Sequence, residues 1–265
     1  MSDDDIIIAD EEALRKAIAE NDVNIDREVR RLSRRGFIVT GAAAVAAYGG
    51  WKFLRLAPRV GDVPWPLRRG LETNEKVAEA YFSTSRLSRT FPPSAISSVA
   101  RINGGVGLQP DYDPEHWQLR VEGIAGQPPA TLTLSDIRSF PRRDMTTELR
   151  CIEGWSIVVH WTGMRLSDLM ARFSPPRGTP YIAMESPGRG YYVGLDMQSA
   201  MHPQTLLAYE LNGAPLTWQH GAPLRLAMPV KYGYKNIKRI ATIRYTDVRP
   251  GDFWGDRGYD WYAGH

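Results

Sequence analysis

An α+β domain of mixed β architecture is the fold class this sequence predicts, and three observations predict it. Short runs of alternating apolar and polar residues recur from Trp117 onward, the period-two signature of half-buried strands. Helical periodicity is confined to a few short segments. The 24 glycines and 19 prolines break the chain frequently, which disfavours a parallel doubly wound sheet with its long crossover helices. A separate apolar helix, a signal or an anchor, is expected ahead of this domain.

That N-terminal part covers residues 1–57. It opens with an acidic tail (Asp3, Asp4, Asp5, Glu11, Glu12) and a segment, Ala13 to Ile25, of amphipathic pattern. Ser33-Arg34-Arg35-Gly36-Phe37-Ile38-Val39 then leads into an apolar run from Phe37 to Leu54. An arginine pair directly before such a run resembles a twin-arginine export signal. The run is about 18 residues, the short limit for a bilayer span, and Trp51-Lys52-Phe53-Leu54-Arg55 reads as the interfacial end of one. Cleaved signal and retained anchor are both open. Either places the remainder in the periplasm or on the periplasmic face of the inner membrane.

Residues 58–94 read as a linker, extended through Pro58, Pro64, Pro66 and Gly70, with a short helix over Glu75 to Tyr81. Residues 95–265 form the main domain, starting with an ordered loop between Phe91 and Pro114. Strands are expected over 118–123, 146–151, 180–185, 191–195, 207–211, 224–228 and 240–245. Thr133 or Ser135 offers the start of one helix, Ser167 caps another running to Phe173, and a third lies between Asp196 and Pro203.

A net charge of +3, with 33 basic residues scattered among 30 acids, gives no stripe for nucleic-acid binding. The single cysteine excludes a disulfide framework, C-x-x-C redox pairs and built-in iron–sulfur or c-type haem sites. A lone cysteine is most often a small core hydrophobe. Cys151, however, ends an expected strand, has Arg150 beside it and is followed by Gly154, so a turn can present its sulfur. Positive surroundings lower a thiol pKa and favour the metal-ligating anion. A cysteine hydrolase is the rival reading, with His160, His202 or His220 as base. A non-catalytic binding protein of the same fold is a third.

Cys151-Ile152-Glu153-Gly154-Trp155-Ser156, followed by Trp161-Thr162-Gly163-Met164-Arg165-Leu166-Ser167-Asp168-Leu169, resembles the cysteine segment of the sulfite oxidase family of molybdenum enzymes. Leu206-Leu207-Ala208-Tyr209-Glu210-Leu211-Asn212-Gly213-Ala214-Pro215-Leu216, then His220-Gly221-Ala222-Pro223-Leu224-Arg225-Leu226, then Lys231-Tyr232-Gly233-Tyr234-Lys235-Asn236-Ile237-Lys238 are similar, in order and spacing, to its cofactor-binding segments. The resemblance covers roughly residues 95–250.

It implies the family's β-rich molybdopterin-binding fold and a molybdenum–molybdopterin cofactor with Cys151 as metal ligand, the pterin dithiolene supplying the other sulfurs. It implies Arg225, Lys238 and the backbone of Asn236 and Ile237 at the cofactor's phosphate and pterin, with His220, Asn103 and Ser186 as further contacts. Tyr191 falls at an active-site tyrosine position, where a phenol can hydrogen-bond an oxo group or bound substrate. Arg101 and Arg189 are candidates for an anion-facing charge, and the aromatic segment 253–262 reads as a packing strap. The resemblance includes neither the family's C-terminal immunoglobulin-like domain nor its haem domain. This places the chain with the small bacterial branch that includes the periplasmic methionine sulfoxide reductase catalytic subunit. The function implied is oxo-transfer redox chemistry on a small sulfur- or nitrogen-oxide substrate, by a monomer supplied through a separate haem-bearing membrane protein or cytochrome.

Overall fold

The computed structural model describes residues 37–60, 63–102, 104–108, 113 and 116–265. The arginine pair at 34–35 and the candidate contact Asn103 lie outside the described residues. The chain divides into two compact units at Pro58. In the first, helix α1 (Phe37–Leu56) is 20 residues long and apolar enough to cross a membrane, by length and composition.

The second unit opens on a short hairpin, β1 (Arg59–Val60) and β2 (Val63–Pro64), and helix α2 (Trp65–Tyr81). This corrects the extended reading of residues 58–75. Pro66 sits in the first turn of α2, where its missing N–H would have no partner in any case, so the proline that suggested a linker starts a helix.

Two five-stranded sheets follow. The first is built from β5 (Arg143–Arg150), β6 (Ser156–Arg165) and β9 (Leu206–Leu211), with β10 (Ala214–Pro215) and β11 (Arg225–Ala227) both paired to the outer edge of β9. The second comprises β3 (Leu119–Glu122), β4 (Ala130–Leu132), β7 (Tyr181–Glu185), β8 (Tyr192–Asp196) and β12 (Thr242–Thr246), in the order β4-β3-β12-β7-β8. Only β3 and β12 run parallel; the other pairs are antiparallel. The mixed α+β architecture read from the sequence is therefore present.

Strand alternation divides the core. On β9, Leu207 and Tyr209 join the large cluster shared with Val121, Ile182, Met184 and Ile243 of the second sheet, while Leu206 and Ala208 face a smaller cluster with Val159 and Trp161. Both faces of the first sheet are thus covered, and each buried aliphatic side chain contributes about 1.5–3 kcal/mol. The register of β6 against β9 shifts between Thr162 and Gly163. A Cβ at Gly163 would stand 2.2 Å from the carbonyl oxygen of Leu207, so this glycine of the Trp161-Thr162-Gly163 segment permits the close approach of two strands.

The helices are short. Thr133 caps α3 (Leu134–Arg138) in a reciprocal capping box with Asp136, and Asp196 caps α5 (Met197–Ala200). Helix α4 (Leu166–Arg172) starts two residues earlier than a Ser167 cap would place it, with Arg165 at its N-cap and no side-chain cap. The buried side chains of Leu166, Leu169 and Met170 hold it instead.

Candidate functional site

Antiparallel pairing brings Arg150 opposite Ser156, and the five residues between them form the turn that carries Cys151. The Cys151 amide donates to the Trp155 carbonyl at 2.9 Å, the Gly154 amide donates back to the Cys151 carbonyl at 3.1 Å, and Gly154 has φ +87°. The half-buried thiol lines a cavity with about 780 Å³ of empty space including its mouth.

Burial is the main cause that raises the thiol above its ordinary value, with the Glu153 charge adding to it. This corrects the expectation that Arg150 depresses it. Successive residues of a strand point to opposite faces, and the Arg150 guanidinium is turned to Glu148 at 2.8 Å and His265 at 3.2 Å. The thiol is therefore neutral without a metal, and ligation displaces its proton.

Arg225, Asn236 and Lys238 line the same cavity. Arg225 is 2% exposed. Its guanidinium donates to the carbonyls of His220 at 2.9 Å, Asn236 at 3.3 Å and Leu226 at 3.4 Å. Burial lowers it to about 10. Lys238 donates to the Gly104 and Gln219 carbonyls at 2.8 and 2.7 Å; burial, then the charge of Arg225, lowers it to about 7. Asn236 holds the loop in place by accepting from the Met228 amide and donating to the Tyr232 carbonyl. A Cβ at Gly221 would lie 2.7 Å from that of Lys238, so the glycine after His220 lets the two loops close on each other. A buried guanidinium whose hydrogen bonds end on neutral carbonyls, next to a second desolvated cation, is complementary to a dianionic phosphate. The residues present fit a cofactor whose phosphate would be held by Arg225 and Lys238 and whose metal would be held by the Cys151 sulfur.

Tyr191 also lines the cavity, but its hydroxyl donates to the Tyr234 carbonyl, and burial raises it above its ordinary value. Other expected residues stand back from the cavity. The Ser186 hydroxyl accepts from the Tyr191 amide at 2.8 Å, beneath Gly107. Ile237 turns its side chain into the core, with its amide bound to the Lys235 carbonyl and its carbonyl to the Leu226 amide. The His220 ring pairs through Nδ1 with the Thr217 hydroxyl at 2.8 Å, while its buried Nε2 faces the Ala100 backbone without meeting hydrogen-bond geometry.

Neither arginine proposed to face an anion lines the cavity. Arg101 lies over the Trp155 ring at 4.5 Å, and Arg189 over Tyr192 at 5.3 Å and beside Glu185. Conversely, Val106, Ile152, Glu153, Tyr234, Trp254 and Tyr259 line it and were not singled out from the sequence. Trp254 and Tyr259 belong to the segment read as a packing strap; its aromatic density was the available signal. No histidine lines the cavity among the described residues, so the hydrolase reading lacks its base.

A profile of the oxidoreductase molybdopterin-binding domain matches residues 106–254. A chain of Azospira oryzae, provisionally named protein-methionine-sulfoxide reductase subunit YedZ1, is 31% identical over 69% of this chain and 70% of its own length. The protein-methionine-sulfoxide reductase catalytic subunit MsrP of Xanthomonas campestris pv. campestris is 39% identical over 53% of this chain and 48% of its own. The chain thus spans about half the length of that second relative. Among solved structures, the sulfane dehydrogenase SoxCD from Paracoccus pantotrophus aligns with a TM-score of 0.49 and 21% identity, over 52% of this chain and 40% of its own. With the profile covering more than half of its residues, the chain belongs to the family of oxidoreductases with a molybdopterin-binding domain.

Proposed function

We propose that this protein reduces a neutral sulfoxide to the corresponding sulfide, with the molybdenum of a molybdopterin cofactor bound to the Cys151 sulfur. The observation that carries this reading is the lining of the Cys151 cavity, which combines two buried cations, Arg225 and Lys238, with four aromatic residues, Tyr191, Tyr234, Trp254 and Tyr259, and one acid, Glu153. The cations serve the cofactor's phosphate. Among the described residues no further cation lines the cavity to receive an incoming sulfite dianion, and Glu153 repels it. A neutral sulfoxide meets neither cost. The names of both relatives, each a methionine sulfoxide reductase component, agree with this direction.

When bound, the cofactor supplies two-electron oxygen-atom exchange with substrate. This chain's residues hold and shape. Cys151 fixes the metal, Arg225 and Lys238 bind the phosphate, and Asn236 sets the loop between them. His220, Ser186 and the Ile237 backbone support the pterin pocket from behind, and Asn103 is a further contact. The aromatic rings exclude water. Tyr191 stays neutral and presents its ring, while its phenolic oxygen can still accept a hydrogen bond. In the overall reaction the sulfur–oxygen bond breaks, sulfur gains two electrons, and the oxygen leaves as water with two protons. The electrons come from a separate redox protein, a haem-bearing membrane protein or cytochrome.

Work on the periplasmic face, after export by the twin-arginine route, is supported by the Arg34-Arg35 pair directly ahead of α1, which is long and apolar enough to serve as an anchor. The deciding experiment compares turnover of methyl sulfoxides with a one-electron donor against turnover of sulfite with a one-electron acceptor. Sulfoxide reduction with the higher kcat/KM is expected; sulfite oxidation at an equal or higher value would overturn the assignment.

A further inference from the structure

Strand β8 is the edge of its sheet, so alternate backbone groups along it have no strand partner and must be satisfied otherwise. Residues 250–262, together with Lys235, do this. The Tyr192 carbonyl accepts from the Phe253 amide at 2.9 Å. At Gly194 the partners are an ion pair: its carbonyl accepts from Lys235 Nζ at 2.9 Å, and its amide donates to Asp252 Oδ2 at 3.4 Å. The two charged groups are 2.6 Å apart, and both side chains are 1% exposed. The second carboxylate oxygen of Asp252 accepts from the Gly255 amide at 3.0 Å, and its backbone carbonyl from the Asp256 amide at 2.8 Å. One carboxylate therefore joins three elements: the edge of β8, the loop that continues into Asn236 and Lys238, and the turn that bears Trp254. A Cβ at Gly194 would fall 2.7 Å from the Trp261 ring, so the glycine is what lets the segment lie this close.

Above this clamp the aromatic rings touch in sequence. Tyr191 meets Phe253 at 5.0 Å between centroids, Phe253 meets Trp254 at 5.3 Å, Trp254 meets Tyr259 at 5.0 Å, and Tyr259 meets Tyr234 at 5.7 Å. The hydrogen bond from Tyr191 to the Tyr234 carbonyl closes the circuit, and the Tyr234 hydroxyl donates to the Asp260 carbonyl at 2.7 Å. All of these rings except Phe253 line the Cys151 cavity.

We propose that Lys235 and Asp252 are positioning residues whose buried pair holds Trp254 and Tyr259 as an aromatic wall selecting sulfoxides with an apolar arm. The substrate class rests on the sulfoxide reading above. Aromatic faces favour apolar groups and sulfur at their edges, and the wall is built from a segment distant in sequence, so its position depends on what pins it. A buried charge left alone is costly. The pair is therefore removed together, as Lys235→Met/Asp252→Asn, which leaves the acceptor for the Gly255 amide. Trp254→Leu alters the wall directly.

Holoenzyme is assayed with methyl p-tolyl sulfoxide and with dimethyl sulfoxide, and affinity for the non-reducible methyl p-tolyl sulfone is measured by calorimetry. In both variants KM for the aryl sulfoxide and Kd for the sulfone are expected to rise about tenfold, the scale of a lost apolar pocket contact. In the Lys235→Met/Asp252→Asn variant, kcat on dimethyl sulfoxide is expected to stay within about twofold of the parent, a split that a merely structural role would not produce. Restoring Asp252 and Lys235 as Glu and Arg should recover part of the selectivity. Unchanged aryl KM and sulfone Kd, or equal losses on both substrates, would overturn the proposal. A parent that binds the sulfone but reduces neither sulfoxide would defeat the sulfoxide reading, while the sulfone affinities of the variants would still decide the role of the wall.

Discussion

The hydroxyl of Tyr191 donates to the backbone carbonyl of Tyr234, and the rings of both residues line the cavity beside Cys151. The phenol that family resemblance places at the active site thus has its proton committed to the protein. Tyr191→Phe keeps the ring and leaves a carbonyl unsatisfied, so it is expected to destabilise the fold by about 1–3 kcal/mol. The effect on kcat should be less than about tenfold, as read from melts and sulfoxide turnover. A loss of several orders of magnitude at unchanged stability would assign the hydroxyl to the chemistry.

Arg225 is the residue on which cofactor retention should depend. A charge-assisted hydrogen bond to phosphate is worth about 1.5–3 kcal/mol, so Arg225→Met is expected to weaken pterin binding by roughly 10- to 100-fold. Arg101→Ala and Arg189→Ala, whose side chains stand outside the cavity, should retain full molybdenum content. Metal analysis of the three purified variants checks this.

The pH dependence of the cofactor-free protein follows from two buried lysines. Burial and the neighbouring Arg225 bring Lys238 to about 7, and burial brings Lys231 to about 7. Between there and the ordinary lysine value near 10.4 the unfolded chain holds protons that the folded chain has released, so stability rises with pH across that window. Any advantage of Lys238→Met over the parent in Tm is expected to be larger at about pH 7 than at about pH 9.5, shrinking steadily across that window. A shift independent of pH would contradict the lowered value.

Gly163→Ala tests the close packing of β6 against β9. Its Cβ would come 2.2 Å from the Leu207 oxygen and 2.7 Å from the Ala208 Cα, backbone atoms of β9 that cannot move aside. Destabilisation of about 1–3 kcal/mol or more is expected from such overpacking, measured by denaturant unfolding.

Much of this was legible in the sequence, for identifiable reasons. Strands such as β3 and β12 alternate buried and more exposed residues, and Thr133 and Asp196 announce their helices by side-chain chemistry. No simple period marks β6 as a strand, because both faces of its sheet are covered and its register against β9 shifts at Gly163. Helix α2 was hidden by Pro66 and Gly70, residues that read as breakers away from the context of a first turn. At the site, Cys151, Arg225, Asn236 and Lys238 lie in recognisable local segments. Trp254 and Tyr259 do not. They reach the cavity through the Lys235–Asp252 pair, a contact across 17 positions that no local pattern encodes.

The central claim is the bond between the Cys151 sulfur and molybdenum, and X-ray absorption at the molybdenum edge measures it most directly. The parent protein is expected to show one more sulfur in the metal's first shell than Cys151→Ser does, the variant keeping its pterin through Arg225 and Lys238. Equal sulfur counts in the two proteins would contradict the account.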